Sequence, residues 1–127
     1  MTPPPEEPST NPLVAVSNAM VALHKEQFGR GPTAARSDFA GQDTLICVLE
    51  NALLPAEIAM VELGQQLRVQ ESRLFLQNAT ADRMTSMIEG IVGRKTRAFA
   101  SACDPRTGTV MEIFVFERDA NSDTPQA

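Results

Sequence analysis

Few side chains in this sequence could do chemistry, and each stands apart from the partners it would need. His24 is the single histidine, and Cys47 and Cys103 are the only cysteines. Catalysis by a cysteine–histidine pair requires the two side chains to meet, with a third group orienting the base. No local motif brings either cysteine to His24. A zinc site needs a set of such ligands at defined spacing, and none exists here, so no metal and no cofactor is expected. Each cysteine sits in an apolar stretch that reads as a strand, where a thiol behaves as a small buried hydrophobe. Glu57 with Glu62, or Asp104 with Glu112, offer paired carboxylates for acid–base work, but acids mostly face solvent. No catalytic set emerges, and a non-enzyme is expected. The enzymatic alternative is a small-molecule site using His24 or a carboxylate between the first helix and the sheet.

The stretch FGRGPT, residues 28–33, carries the one glycine signature. A Walker A loop needs G-x-x-x-x-G-K-[ST], and a dinucleotide fingerprint needs G-x-G-x-x-G between strand and helix. Gly29-Arg30-Gly31 satisfies neither. It follows a helix, whereas phosphate cradles sit where a helix begins. Gly29 therefore reads as a left-handed helix cap, Gly31 as relief for the turn, and Pro32 as the extended lead into a strand. Arg30 is the member this corner does not need. With Thr33 and Arg36 it forms a speculative small-anion site, since arginine suits planar oxyanions. Gly108 marks a second structural turn.

Composition narrows the partners. The net charge is −5 at pH 7, which speaks against nucleic acid, because phosphate binding needs clustered Lys and Arg. It also supplies no polybasic patch for an anionic membrane. No apolar run approaches the roughly 18–20 residues that a bilayer span needs. Two isolated cysteines fit a reducing cytoplasm. Residues 1–10 and 119–127 are Pro-, Ser-, Thr- and acid-rich and read as disordered tails around a single domain, 11–118. MTPPPEEPSTNP has neither the basic nor the apolar region of a signal peptide.

These residues must be positioned by a small set of elements. Asn11-Pro12 starts a helix that carries Val16, Met20 and Leu23 on one face and ends at Gly29. AARSDF and TLICVL form a hairpin around AGQD. Pro55 opens a second helix through about Gln77, with a stripe of Met60, Leu63, Leu67 and Leu74. Asn78 to Thr80 breaks the path, and a third helix carries Met84, Met87, Ile88 and Ile91 up to Gly93. RKTRAFASAC, DPRTG and TVMEIFVFE form a second hairpin, with Arg94, Lys95 and Arg97 as a solvated defence of its edge.

The order is αββααββ, an α+β fold: a four-stranded antiparallel sheet from two hairpins, with helices packed on one face. TLICVL and VMEIFVF are apolar on both faces, so one-sided helices leave the other side open. Such strands call for a second cover. A homodimer or higher homo-oligomer through the sheet face is the expectation. A self-assembling structural module is the rival.

FGRGPT, LICVLENALLPAE, SMIEGIVGRK and DPRTGTVMEIFVF together resemble the MpsC-like family, formerly a domain of unknown function. It is named for a component of a sodium-translocating, membrane-potential-generating system. The resemblance covers about Leu13 to Glu117. It rests on the Gly29-Arg30-Gly31-Pro32 turn, the Leu53-x-Pro55-x-Glu57 helix start, Ile91 with Gly93, and Arg106-Thr107-Gly108. One departure is Leu54, where the family's capping threonine is absent. The resemblance implies a soluble, cytoplasmic accessory or regulatory protein of bacterial bicarbonate or ion uptake, acting by protein–protein contact. A membrane transporter subunit is the implied partner, and direct membrane insertion is not expected.

Overall fold

The computed structural model describes residues 11–118. The two tails read from composition lie outside the described residues. Eight elements follow in order: α1 (Pro12–Phe28), β1 (Ala34–Phe39), β2 (Thr44–Glu50), α2 (Pro55–Glu62), α3 (Gln66–Ala79), α4 (Ala81–Val92), β3 (Thr96–Asp104) and β4 (Thr109–Phe116).

The sheet order is β1-β2-β4-β3, antiparallel throughout. Two hairpins therefore meet through their second strands. The α+β class, the two hairpins and the one-sided helices match the expectation. The central strands β2 and β4 are the two that are apolar on both faces, and within the chain the helices cover one of those faces. Their alternating burial shows which face the helices cover: Leu45, Cys47, Leu49, Val110, Phe114 and Phe116 are buried with Val16, Met20, Leu23, Val69, Met84 and Ile88.

α1 begins where the Asn11 side chain accepts a hydrogen bond from the Leu13 N–H at 3.0 Å, with Pro12 in the first turn. α4 ends at Gly93 and its inner face carries Met84 and Ile88.

The stretch expected as one helix from Pro55 is two. Gly64 adopts φ 80°, and the chain stops α2 with a paired set of bonds: the Gly64 N–H donates to Val61 O at 2.9 Å and the Gln65 N–H to Met60 O at 2.8 Å. This is the Schellman arrangement, which needs a left-handed residue just past the helix. The break resets the helical phase. Leu63 and Leu67, assigned to the buried stripe, are 77% and 67% exposed. The buried side of α3 is instead Val69, Arg73 and Gln77, spaced four apart.

The basic cluster at the start of β3 also differs from a purely solvated edge defence. Arg94 donates to Gln42 O at 2.7 Å and to Asp43 Oδ1 at 2.6 Å, and Arg118 reaches Asp43 Oδ2 at 2.9 Å. The Arg94 hydrogen bond, with Arg118 behind it, holds the Asp43 carboxyl below its ordinary range despite some desolvation. The β1–β2 turn is thereby tied to the β3 edge.

Candidate functional site

The β2–α2 connection, residues 51–54, is where three separately encoded stretches meet. Its backbone groups are taken one after another. The Ala52 N–H donates to Gly108 O at 2.9 Å. The Ala52 carbonyl accepts from Arg73 Nη2 at 2.7 Å. The Leu53 carbonyl accepts from Arg30 Nη1 at 2.6 Å. The Leu54 N–H donates to Glu57 Oε1 at 2.7 Å. Glu57 stands in the first turn of α2, so its carboxylate supplies the glutamate half of a capping box, while the half that a hydroxyl at Leu54 would supply is missing.

Arg73 is the centre of this network. It is 1% exposed. Its Nε and Nη2 form a fork on the two Glu57 oxygens at 2.8 and 2.6 Å. Its guanidinium carbon lies 3.8 Å from the centre of the Phe28 ring. A planar guanidinium is suited to that combination of fork and stack. Phe28 therefore enters the site as the first residue of FGRGPT, at the end of α1.

The corner itself behaves as its glycines predict. Gly29 has φ 79° and its N–H returns to Lys25 O at 2.8 Å. A side chain on Gly31 would lie 3.3 Å from Val21 O. Arg30 departs from the expectation: the corner does use it, because its charged donor satisfies the Leu53 carbonyl. Thr33 is exposed and its N–H pairs with Glu50 O at 3.1 Å. Arg36 is exposed on β1, opposite Val48. No hydrogen bond or ion pair joins Arg30, Thr33 and Arg36 to one another among the described residues. Arg30→Ala should cost about 1.5 kcal/mol, the low end for a hydrogen bond from a charged group, as suits a half-buried site. Urea denaturation checks it, and no change would return Arg30 to the free side chains.

A second buried polar group lies deeper, between α1, α3 and the sheet. Glu112 on β4 is 0% exposed, where a solvated position was expected. Gln77 Nε2 donates to Glu112 Oε1. His24, 2% exposed, has Nδ1 at 2.9 Å from Met20 O and Nε2 at 3.6 Å from Glu112 Oε1. A carbonyl partner assigns the hydrogen to Nδ1. Nε2 then faces a carboxyl oxygen, and two bare acceptors so placed would repel. At 3.6 Å the two atoms are not hydrogen-bonded, and neither His24 Nε2 nor Glu112 Oε2 has a hydrogen-bond partner among the described residues. Ser17 and Ser37 share a hydrogen bond of 2.7 Å further along the same layer.

Both cysteines are buried and free. Burial pushes each thiol up to about 11; for Cys47 the Ser37 hydrogen bond works the other way, and for Cys103 the Arg73 charge does. At such values the thiolate fraction near neutrality is negligible. Iodoacetamide at pH 8 should leave both unmodified in the folded chain and label both in denaturant. Rapid native labelling of either would contradict the burial described. Among the described residues no three His, Cys, Asp or Glu side chains converge on a metal-sized site.

The outer wall of the hub is open. A cleft of about 310 Å³ is lined by Leu53, Ile58, Val61, Glu62, Arg106 and Thr107, among others. A second, of about 410 Å³, lies on the other side of Pro105 and Arg106, against Gln66 and Gln70. Asn51, which also lines the first cleft, has φ 53°, an uncommon conformation for a residue with a side chain. The exposed Ile58, Leu63 and Leu67 lie on or between the helices that border these clefts.

No helix among the described residues is long and apolar enough to cross a membrane. The chain is 25% identical over 100 residues to "Uncharacterized protein YbcI" of Bacillus subtilis (strain 168), covering 78% of this chain and 80% of that protein. No solved structure matches. The family model described as "Na+-translocating membrane potential-generating system (MpsC)" matches residues 13–118, which is the whole α+β unit and every segment of the hub. The chain belongs to the MpsC family.

Proposed function

We propose that this chain is a non-enzymatic accessory module of a membrane ion- or bicarbonate-uptake system, working from the cytoplasm by protein–protein contact. The observation that carries this reading is the direction in which its reactive groups face. His24, Glu112, Arg73, Cys47 and Cys103 are all turned inward. His24, Glu112 and Arg73 face one another or the backbone, while large apolar side chains stand outside. Buried polar groups tied in this way specify a fold. Exposed apolar groups clustered beside clefts offer a surface to a partner.

Two surfaces divide the work. The corner of Ile58, Leu63 and Leu67, with the clefts around Pro105 and Arg106, receives a subunit of the membrane system. The open face of the sheet receives a second copy of this chain. The tagged full-length chain, recovered from detergent-solubilised membranes of its host, tests the first. Retention of an ion-transport subunit by the wild type, and its loss in Leu63→Asp/Leu67→Asp with unchanged circular dichroism, supports the reading. Recovery of the chain with no membrane protein sinks it.

A further inference from the structure

The sheet face away from the helices has a definite layout. The pairings place Arg36, Val48, Met111 and Ala102 in one row across β1, β2, β4 and β3, and Asp38, Ile46, Ile113 and Ala100 in the next. Thr44, Val115 and Ala98 follow on one side. Glu50 and Thr109 follow on the other, where Thr109 Oγ1 donates to Glu50 Oε1 at 2.7 Å. The centre is apolar, one flank is a column of alanines, and the other flank is Arg36 and Asp38. Neither of those charged side chains has a hydrogen bond or ion pair among the described residues. No helix covers the centre of this face; at one corner Met111 and Ala102 border the cleft that Gln66 and Gln70 of α3 line.

We infer that this face packs against a second copy of the chain about a two-fold axis that runs across the strands, setting Arg36 of each copy against the partner's Asp38. The inference rests on the self-association named above and specifies its geometry. Two ways of stacking identical sheets with aligned strands have a two-fold axis in the interface. With the axis along the strands, β1 lies over the partner's β3. Arg36 and Asp38 would then lose water against alanines, and unpaired charges are costly to desolvate. With the axis across the strands and between the two rows, β1 lies over β1. Arg36 meets the partner's Asp38 twice, Val48 meets Ile46, Met111 meets Ile113, and Ala102 meets Ala100. The charges select the second arrangement. Four strands about 4.8 Å apart, with about seven residues each, give a flat area on the order of 400 Å². Side-chain relief raises this toward the ~800 Å² per partner of a standard interface.

Sedimentation equilibrium of the full chain tests this. The wild type should dimerise. Arg36→Asp and Asp38→Arg should each weaken the dimer at least about tenfold, because like charges are brought together. The double swap Arg36→Asp/Asp38→Arg should return it to within about threefold of wild type, because opposite charges meet again. Ile113→Lys should abolish it, and circular dichroism reports whether that variant folds; the exposed charge variants decide the matter if it does not. A dimer lost with Ile113→Lys but indifferent to the swaps keeps the face as the interface and overturns this two-fold. A dimer that folded Ile113→Lys leaves intact, or a strictly monomeric wild type, alone or bound to neutral vesicles, overturns the self-association as well.

Discussion

Replacing Arg73 with methionine should lower stability by about 3 kcal/mol, at the low end of the loss on breaking a buried ion pair. Three consequences add. Glu57 loses both fork bonds, the Ala52 carbonyl loses its donor, and the fixed charge over Phe28 disappears. Methionine fills most of the volume and keeps contact with the ring, so a cavity adds little. The low end applies because Glu57 is 16% exposed and can turn partly to water. Urea denaturation by circular dichroism measures the effect. A domain of this size is typically stable by about 5–15 kcal/mol, so the variant should fold and lose a large part of its margin. A double-mutant cycle with Glu57→Gln isolates the pair: the two losses should add to clearly more than the double variant shows. A loss below about 1 kcal/mol would mean that the hub holds without its arginine, against the cost assigned to a broken buried pair.

Glu112 should give the other large effect, and the two replacements should differ. Glu112→Leu should cost about 2–3 kcal/mol, because the buried Gln77 Nε2 is left facing an apolar side chain deep in the protein. Glu112→Gln should cost about 1 kcal/mol or less, since an amide oxygen in the place of Oε1 can still accept from Gln77. The contrast follows from the buried Gln77 amide: glutamine at position 112 keeps an acceptor for it, and leucine does not. Denaturation at pH 7 decides it. Equal losses in both variants would show that the negative charge, and not the bonding pattern, is what the site requires.

The architecture was legible because it depends on patterns that the chain states locally. Asn11-Pro12, Gly29, Gly93 and the DPRTG turn mark their boundaries by backbone chemistry. The two-sided apolarity of TLICVL and VMEIFVF asked only for two covers; that these strands lie side by side at the sheet centre comes from the pairing. The hub was not legible, for a specific reason. Its contacts join residues from α1, the α1–β1 corner, α2, α3 and the β3–β4 turn, and no periodicity records such distances. The reading of α3 shows how a local error hid it. Met60, Leu63, Leu67 and Leu74 fit one continuous helix. With that phase, Arg73 points outward and looks solvated. Breaking the helix at Gly64 rotates α3 and turns Arg73 inward with Val69 and Gln77. The left-handed glycine signal was there in Leu63-Gly64-Gln65, outweighed by the leucine spacing. Glu112 was missed differently. It shares a strand face with Val110 and Phe114, but acids mostly face solvent, and only the partners Gln77 and His24 overturn that default.

The four-residue connection after β2 also has a kinetic meaning. The Arg30 and Arg73 bonds to it span 23 and 21 residues, and the Gly108 bond is longer still. Loop closure of that kind costs entropy that must be met before the contact stabilises anything. The connection is therefore expected to fasten late, after both hairpins and α3 are in place. Interactions absent from the folding transition state act on unfolding alone. Residues 51–54 thus work as a latch on the finished structure. Weakening it should leave the speed of folding nearly unchanged and shorten the lifetime of the folded chain.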